Sequence, residues 1–83
     1  PQIGWNNIYD LETPLFEGVD YGSYCYFVHG YYAALGAHTI AKTYYVQEYS
    51  SALHTGNFYG VQFHPEKSAE AGERILRNFI DRI

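Results

Sequence analysis

The residues best suited to chemistry in this 83-residue chain are His64 and Glu66, separated by a single proline. A histidine beside a carboxylate is the base-plus-orienter half of a nucleophilic triad: the ring accepts a proton, and the acid fixes its tautomer. Pro65 limits the backbone freedom between them. Both stand in Gly60-Val61-Gln62-Phe63-His64-Pro65-Glu66-Lys67-Ser68, where a strand-like run gives way to a helical pattern. Functional residues of α/β sheets gather at the carboxyl ends of strands. From spacing alone, a surface turn with an incidental histidine is the plainer reading. Cys25, the single cysteine, lies between Tyr24 and Tyr26 with no flanking glycine. That is the setting of a small core residue, since a reactive thiol needs an electropositive, accessible site. His38 and His54 match no motif and read as surface residues. No two histidines have a compact metal-ligand spacing, so no metal site is expected. The eight glycines are scattered and form no phosphate-binding loop.

Several elements must position this pair. Gly4–Ile8 reads as a short extended piece, followed by a polar turn at Asp10–Pro14. Leu15, Phe16 and Val19 suggest one helical turn ending near Gly18. Tyr24–Tyr31 is rich in aromatic and β-branched residues and reads as a strand. It is apolar on both faces, as in the middle of a layered fold. Thr39–Val46 is a second strand, Tyr49–Leu53 a weaker one, and Phe58–Phe63 a third strong one. From Ser68 the period changes: Ala71, Ile75, Leu76, Phe79, Ile80 and Ile83 recur at helical spacing and give one apolar face. Ser68 suits the N-cap, and Glu70 in the first turn favours the helix dipole. Strands followed by one amphipathic C-terminal helix indicate an α/β layered fold. One helix cannot cover both faces of such a sheet, so part of the layer is expected to lie elsewhere.

Composition narrows the partners. The chain is 47% apolar and 17% charged with net charge −4 and five Lys plus Arg. That balance argues against nucleic acid, which needs clustered positive charge. No run approaches the ~20 apolar residues that span a membrane. One cysteine excludes an internal disulfide framework and suits a reducing cytoplasm. The chain begins with Pro1, without an initiator Met or visible signal peptide, and is expected to continue a longer sequence. Ten tyrosines fit both core packing and interfaces.

Phe63-His64-Pro65-Glu66 resembles the His-Pro-Glu element of the class I glutamine amidotransferases, where His and Glu complete a triad with a cysteine. The ending Glu66-Lys67-Ser68, with Pro1-Gln2-Ile3-Gly4-Trp5-Asn6 and Tyr26-Phe27-Val28-His29-Gly30-Tyr31-Tyr32, resembles the glutaminase subunits of imidazole glycerol phosphate synthases within that family. These motifs fall in the same order and run nearly the whole chain, which corresponds to about the last two-fifths of such a subunit. The resemblance implies a flavodoxin-like α/β fold, of which residues 1–83 form the C-terminal portion of a single domain. It implies glutamine hydrolysis through a cysteine thioester. The ammonia would pass to a (β/α)8-barrel cyclase in histidine biosynthesis, within a cytoplasmic heterodimer and without a cofactor. The nucleophile of such enzymes lies on a Gly-x-Cys-x-Gly elbow, which this chain lacks, so the chain alone is expected to be inactive.

By the same resemblance, His64 and Glu66 would be catalytic, and the backbone at His29, Gly30 and Tyr31 would hold the substrate α-carboxylate. A hydrogen-bonded structural His29 fits equally. Trp5, Tyr26 and Lys67 would face the cyclase, against the plainer reading of a core Trp, a core Tyr and a solvated Lys. The Lys67-Ser68 ending and the Gly-Trp-Asn segment weigh against the amidotransferases of anthranilate, aminodeoxychorismate, guanylate and carbamoyl phosphate synthesis. A non-catalytic interaction module on the same scaffold is the rival from another class.

Overall fold

The computed structural model describes residues 2–83. Pro1, which opens the first of the resembling motifs, lies outside the described residues. Two antiparallel units are present. The first is a strand pair, β1 (Gln2–Asn7) and β2 (Tyr24–His29), in a register that sets Trp5 opposite Tyr26. The second is a meander of β3 (Thr39–Tyr45), β4 (Gln47–Thr55) and β5 (Phe58–Val61). One α-helix is present among the described residues, α1 (Ala69–Asp81), after the last strand. Strands with one C-terminal helix agree with the α/β reading, although every strand pairing among the described residues is antiparallel.

The two units are stitched together by single bridges at Tyr9–Lys42, Phe27–Phe63 and Ala33–Ser50. Between them lies the core: Ile8, Leu15, Phe16, Phe27, Tyr49 and Phe63 are all buried. Phe27 sits at its centre, with edge-on ring contacts to Phe63 at 5.8 Å and to Tyr49 at 6.4 Å. Offset or edge-on rings at such separations add ~0.5–1.5 kcal/mol per pair beyond simple burial. The expected helical turn is the 3-10 turn Pro14–Phe16, which buries Leu15 and Phe16. Asn78 of α1 ties that turn down, its amide donating to the carbonyls of Leu15 and Glu17, both at 2.8 Å.

Four expectations need correction. Tyr49–Leu53 belongs to the longest strand, nine residues, because Tyr49, Ser50, Ser51 and Ala52 are all buried and the strand pairs with β3 from Gln47 to Leu53 and with β5 from Ala52 to Thr55. The strand over Phe58–Phe63 stops at Val61, and Phe63 leaves the meander to bridge Phe27. β2 is covered on one face only. Cys25 and Phe27 point into the core, whereas Tyr24 and Val28 are exposed, since no described residue packs on that side. Helix α1 likewise turns Gly72, Ile75 and Asn78 inward and leaves Leu76, Phe79, Ile80 and Ile83 exposed. The apolar stripe read from spacing is therefore mostly outside. The inward stripe carries a glycine and an asparagine, which a count of apolar residues passes over.

Candidate active site

The turn that follows β5 places His64 and Glu66 together. Residues Pro65–Lys67 form a 3-10 turn, with Lys67 N–H donating to the His64 carbonyl at 3.0 Å and Ser68 N–H to that of Pro65 at 3.1 Å. A tight turn brings side chains two residues apart onto one side, and His64 Nδ1 lies 3.0 Å from Glu66 Oε2. The His64 side chain is 40% exposed, so the ring stands at the surface beside its carboxylate. Glu66 is held below the usual carboxylate range, first by its own backbone N–H and then by the bond from His64. An ionised carboxylate only accepts, so the bond fixes the proton on Nδ1 and leaves Nε2 with its lone pair.

β2 supplies the floor. Tyr26 uses both main-chain groups there: its carbonyl accepts from His64 N–H at 2.8 Å, and its N–H donates to Ser68 Oγ at 2.9 Å. Ser68 occupies the N-cap position but does not cap α1 with its side chain. Its hydroxyl donates instead to the His64 carbonyl at 2.6 Å. Cys25 lies beneath it, fully buried. Burial pushes the Cys25 thiol up to about 11, with its hydrogen bond to Ser68 pulling the other way. A thiol so protonated and enclosed is a packing residue.

His29 ends β2 three residues on from Tyr26, roughly 10 Å away at strand spacing, and Gly30 and Tyr31 follow it. They line a separate cleft of about 400 Å³ with Gln2, Tyr32 and Val46. The His29 ring is held through Nδ1–H, which donates to the Tyr31 carbonyl at 2.8 Å, while Nε2 lies 3.3 Å from the Tyr49 hydroxyl. That hydroxyl donates to Gln2 Oε1 at 2.7 Å. The His29–Tyr31 bond braces the chain at Gly30 and Tyr31, both of which are exposed at the cleft. Val46, at φ 69, holds the tip of the β3–β4 hairpin at the rim of the cleft, a left-handed conformation that a β-branched residue rarely adopts.

Trp5 and Tyr26 form an edge-on pair at 5.8 Å, and Trp5 is 52% exposed, so it is not a core tryptophan. Lys67 is also exposed, one residue from Glu66. His38 is exposed, while His54 is half-buried and stacked on Tyr59 at 4.0 Å. Sequence reasoning missed Gln2 and the buried Tyr49 network, whose only signal was a polar residue opening a strand. It also missed Gly72, a lone glycine inside a helical pattern and hence a cue for close packing.

Residues 1–83 match the family described as glutamine amidotransferase class-I. The chain is similar to the imidazole glycerol phosphate synthase subunit HisH of Shewanella loihica, with 59% identity over 80 residues covering 96% of this chain and 36% of that protein. It is 51% identical over 81 residues to the HisH subunit of Bacteroides fragilis, covering 98% of this chain and 41% of the relative. A Campylobacter jejuni protein, imidazole glycerol phosphate synthase subunit HisH 2, is 51% identical over 83 residues, covering 100% and 42%. The chain spans about two-fifths of the length of these curated relatives. With the family match extending from the first residue to the last, and the His-Pro-Glu turn standing at the end of a strand, this chain belongs to the class I glutamine amidotransferase family.

Proposed function

We propose that residues 1–83 are the C-terminal portion of a single amidotransferase domain that hydrolyses glutamine and delivers ammonia to the cyclase of an imidazole glycerol phosphate synthase, for histidine biosynthesis. The observation that carries this reading is the 3.0 Å contact between His64 Nδ1 and Glu66 Oε2 at the end of the β5 segment, and the names of the relatives support the pathway.

In the proposed mechanism a cysteine upstream of this chain attacks the carboxamide carbon of glutamine. His64 Nε2 takes the thiol proton and returns it to the departing amine, so ammonia leaves and a thioester remains. Water, deprotonated by the same nitrogen, then attacks the thioester and releases glutamate and the free thiol. Glu66 keeps the Nδ1–H tautomer through both halves and stabilises the imidazolium formed in each. A general base contributes ~10²–10⁴-fold to rate. The backbone N–H groups of Gly30 and Tyr31, which line the cleft, would bind the substrate α-carboxylate, since backbone donors hold an anion without adding a titrating group. His29 would serve by bracing that turn.

Trp5 and Tyr26, on the bare face of the β1–β2 pair, with Lys67 beside the catalytic turn, would meet a (β/α)8-barrel cyclase. Exposed tryptophan and tyrosine are frequent interface anchors. No helix among the described residues is long and apolar enough to cross a membrane, and we assign the heterodimer to the cytoplasm. Glutamate release by the intact subunit, with and without purified cyclase, tests the reading, with stimulation by the cyclase as the expected result. Turnover indifferent to the cyclase would point to the amidotransferase of another pathway. Absence of turnover under both conditions would point to a non-catalytic interaction module.

A further inference from the structure

We propose that Ser68 and Gly72 are positioning residues that together set the place of the His64–Glu66 turn over β2; the inference rests on the catalytic reading of that turn. Ser68 is fully buried, and its hydroxyl bonds to both sides of this junction. It accepts from Tyr26 N–H at 2.9 Å and donates to the His64 carbonyl at 2.6 Å, so one oxygen ties the strand floor to the main chain of the base. The His64 N–H completes the loop by bonding the Tyr26 carbonyl at 2.8 Å. His64 is thus held at its N–H and at its carbonyl by the same strand residue, directly on one side and through Ser68 on the other.

Gly72 presses on the turn from the opposite side. Its N–H donates to the Ser68 carbonyl at 3.1 Å, making the first hydrogen bond of α1. A Cβ built at position 72 would lie 1.8 Å from the Pro65 carbonyl oxygen and 2.9 Å from Ser68 Cβ. Helix interiors disfavour glycine relative to alanine, so a glycine here requires a reason, and backbone contact with Pro65 supplies one. Ala69, where α1 begins, adopts φ 52, a left-handed conformation uncommon for a residue other than glycine. It marks the sharp change of direction that brings α1 back onto Pro65. The Pro65 oxygen cannot swing aside freely, since it accepts from Ser68 N–H at 3.1 Å. A methyl group at position 72 must therefore part helix and turn by more than an ångström. Neither residue reaches the His64 ring nitrogens, so both act through the backbone that carries the ring.

The test uses the intact subunit with its cyclase and compares Gly72→Ala, Ser68→Ala and His64→Ala. Three quantities are read: kcat and KM for glutamine, thermal denaturation, and the pH dependence of iodoacetamide alkylation at the nucleophilic thiol, located by peptide mass. A displacement near 1 Å costs on the order of 10²-fold, so Gly72→Ala is expected to lower kcat about 100-fold with KM changed by less than about threefold. Its alkylation profile should move toward that of an ordinary thiol, near pKa ~8.5, because the imidazole that stabilises the thiolate has shifted. Ser68→Ala should act in the same direction by up to about tenfold, the scale of one lost hydrogen bond. It removes only an oxygen and keeps the test open if Gly72→Ala does not fold. Folded variants with wild-type kcat and an unmoved alkylation profile would overturn the inference. So would losses accompanied by lowered thermal stability and an unmoved profile. If His64→Ala itself retained wild-type turnover, the catalytic reading would fail first, and that outcome is separable from the others.

Discussion

The two faces of the β1–β2 pair have opposite fates. On the inner face Cys25 and Phe27 are fully buried and the Phe27 ring meets Tyr49 and Phe63. On the outer face Ile3, Trp5, Tyr24 and Val28 stand exposed, though they are as apolar as their counterparts. The strands alternate side chains between faces, so a pair with apolar residues on both sides asks for cover on both. This chain supplies one cover. The His64–Ser68 turn is anchored beside the inner face, on the edge of β2, through the main-chain groups of Tyr26. The outer face has the composition of an interface and no covering layer among the described residues. The lesson is that one residue serves two directions of the same strand: the Tyr26 ring meets Trp5 on the outer face, while its main-chain groups bond along the strand's edge to His64 and Ser68.

The sharpest way to break that contrast is a pair of truncations. Phe27→Ala should cost the folded state ~3–5 kcal/mol by leaving a cavity in the core. Trp5→Ala should change stability by no more than about 0.5 kcal/mol, while weakening affinity for the cyclase by about 2 kcal/mol, as an interface anchor does. Denaturant unfolding of the intact subunit and titration calorimetry with the cyclase check the two halves. Equal losses of stability would mean that the outer face is closed within the domain.

Lys67→Ala should have a smaller effect and sharpen the partner side. Cyclase-stimulated turnover should fall several-fold more than basal turnover, because the exposed ammonium sits beside Glu66 without a role in the hydrogen bonds of the turn. Measured turnover with and without cyclase decides it. Equal losses would make Lys67 a support of the local fold.

The smallest expected effect concerns Glu66. Its carboxyl is held below the ordinary range by its own N–H and by the His64 ring. A group whose folded pKa is depressed contributes stability that is fully present above its unfolded pKa of ~4.3 and is lost as pH falls through the lower folded value. The His64–Glu66 contact is therefore expected to persist at pH values where free carboxylates are half protonated. An NMR titration of the Glu66 carboxyl carbon should place its midpoint below that of a free glutamate, and His64→Ala should move it upward. A midpoint unmoved by His64→Ala would mean that the ring contributes nothing to holding the carboxylate.

Much of the inner arrangement was legible in the residues. One proline between a histidine and a glutamate leaves few conformations, and the 3.0 Å contact is among them. The aromatic and β-branched run at Tyr24–His29 and the change to helical period at Ser68 marked the elements on either side. What was not legible depended on which surfaces meet. Leu76 and Ile80 satisfy helical spacing as well as Ile75 does, and nothing in that spacing tells which of them faces the layer. Asn78 is polar yet buried because the 3-10 turn Pro14–Phe16 offers its carbonyls, a contact across more than sixty residues. Ser68 stood at the N-cap, as read from its type, but β2 offered its hydroxyl a better use. Tyr49 sat in a stretch that looked weak as a strand because Ser50 and Ser51 dilute its apolar pattern. Both serines are fully buried, and the Ser50 hydroxyl donates to the Ala34 carbonyl at 2.9 Å.

The central claim is that His64 is the base of a triad whose thiol is not Cys25. Initial rates of glutamate release by the intact subunit with its cyclase test it most directly, comparing wild type, His64→Ala and Cys25→Ala, with the 83-residue chain alone as a fourth sample. His64→Ala should lose on the order of 10²–10⁴-fold in kcat, Cys25→Ala should keep its turnover within about threefold as a buried packing change, and the chain alone should release no glutamate. Turnover that survives His64→Ala, or that disappears with Cys25→Ala while the subunit remains folded, would contradict the account.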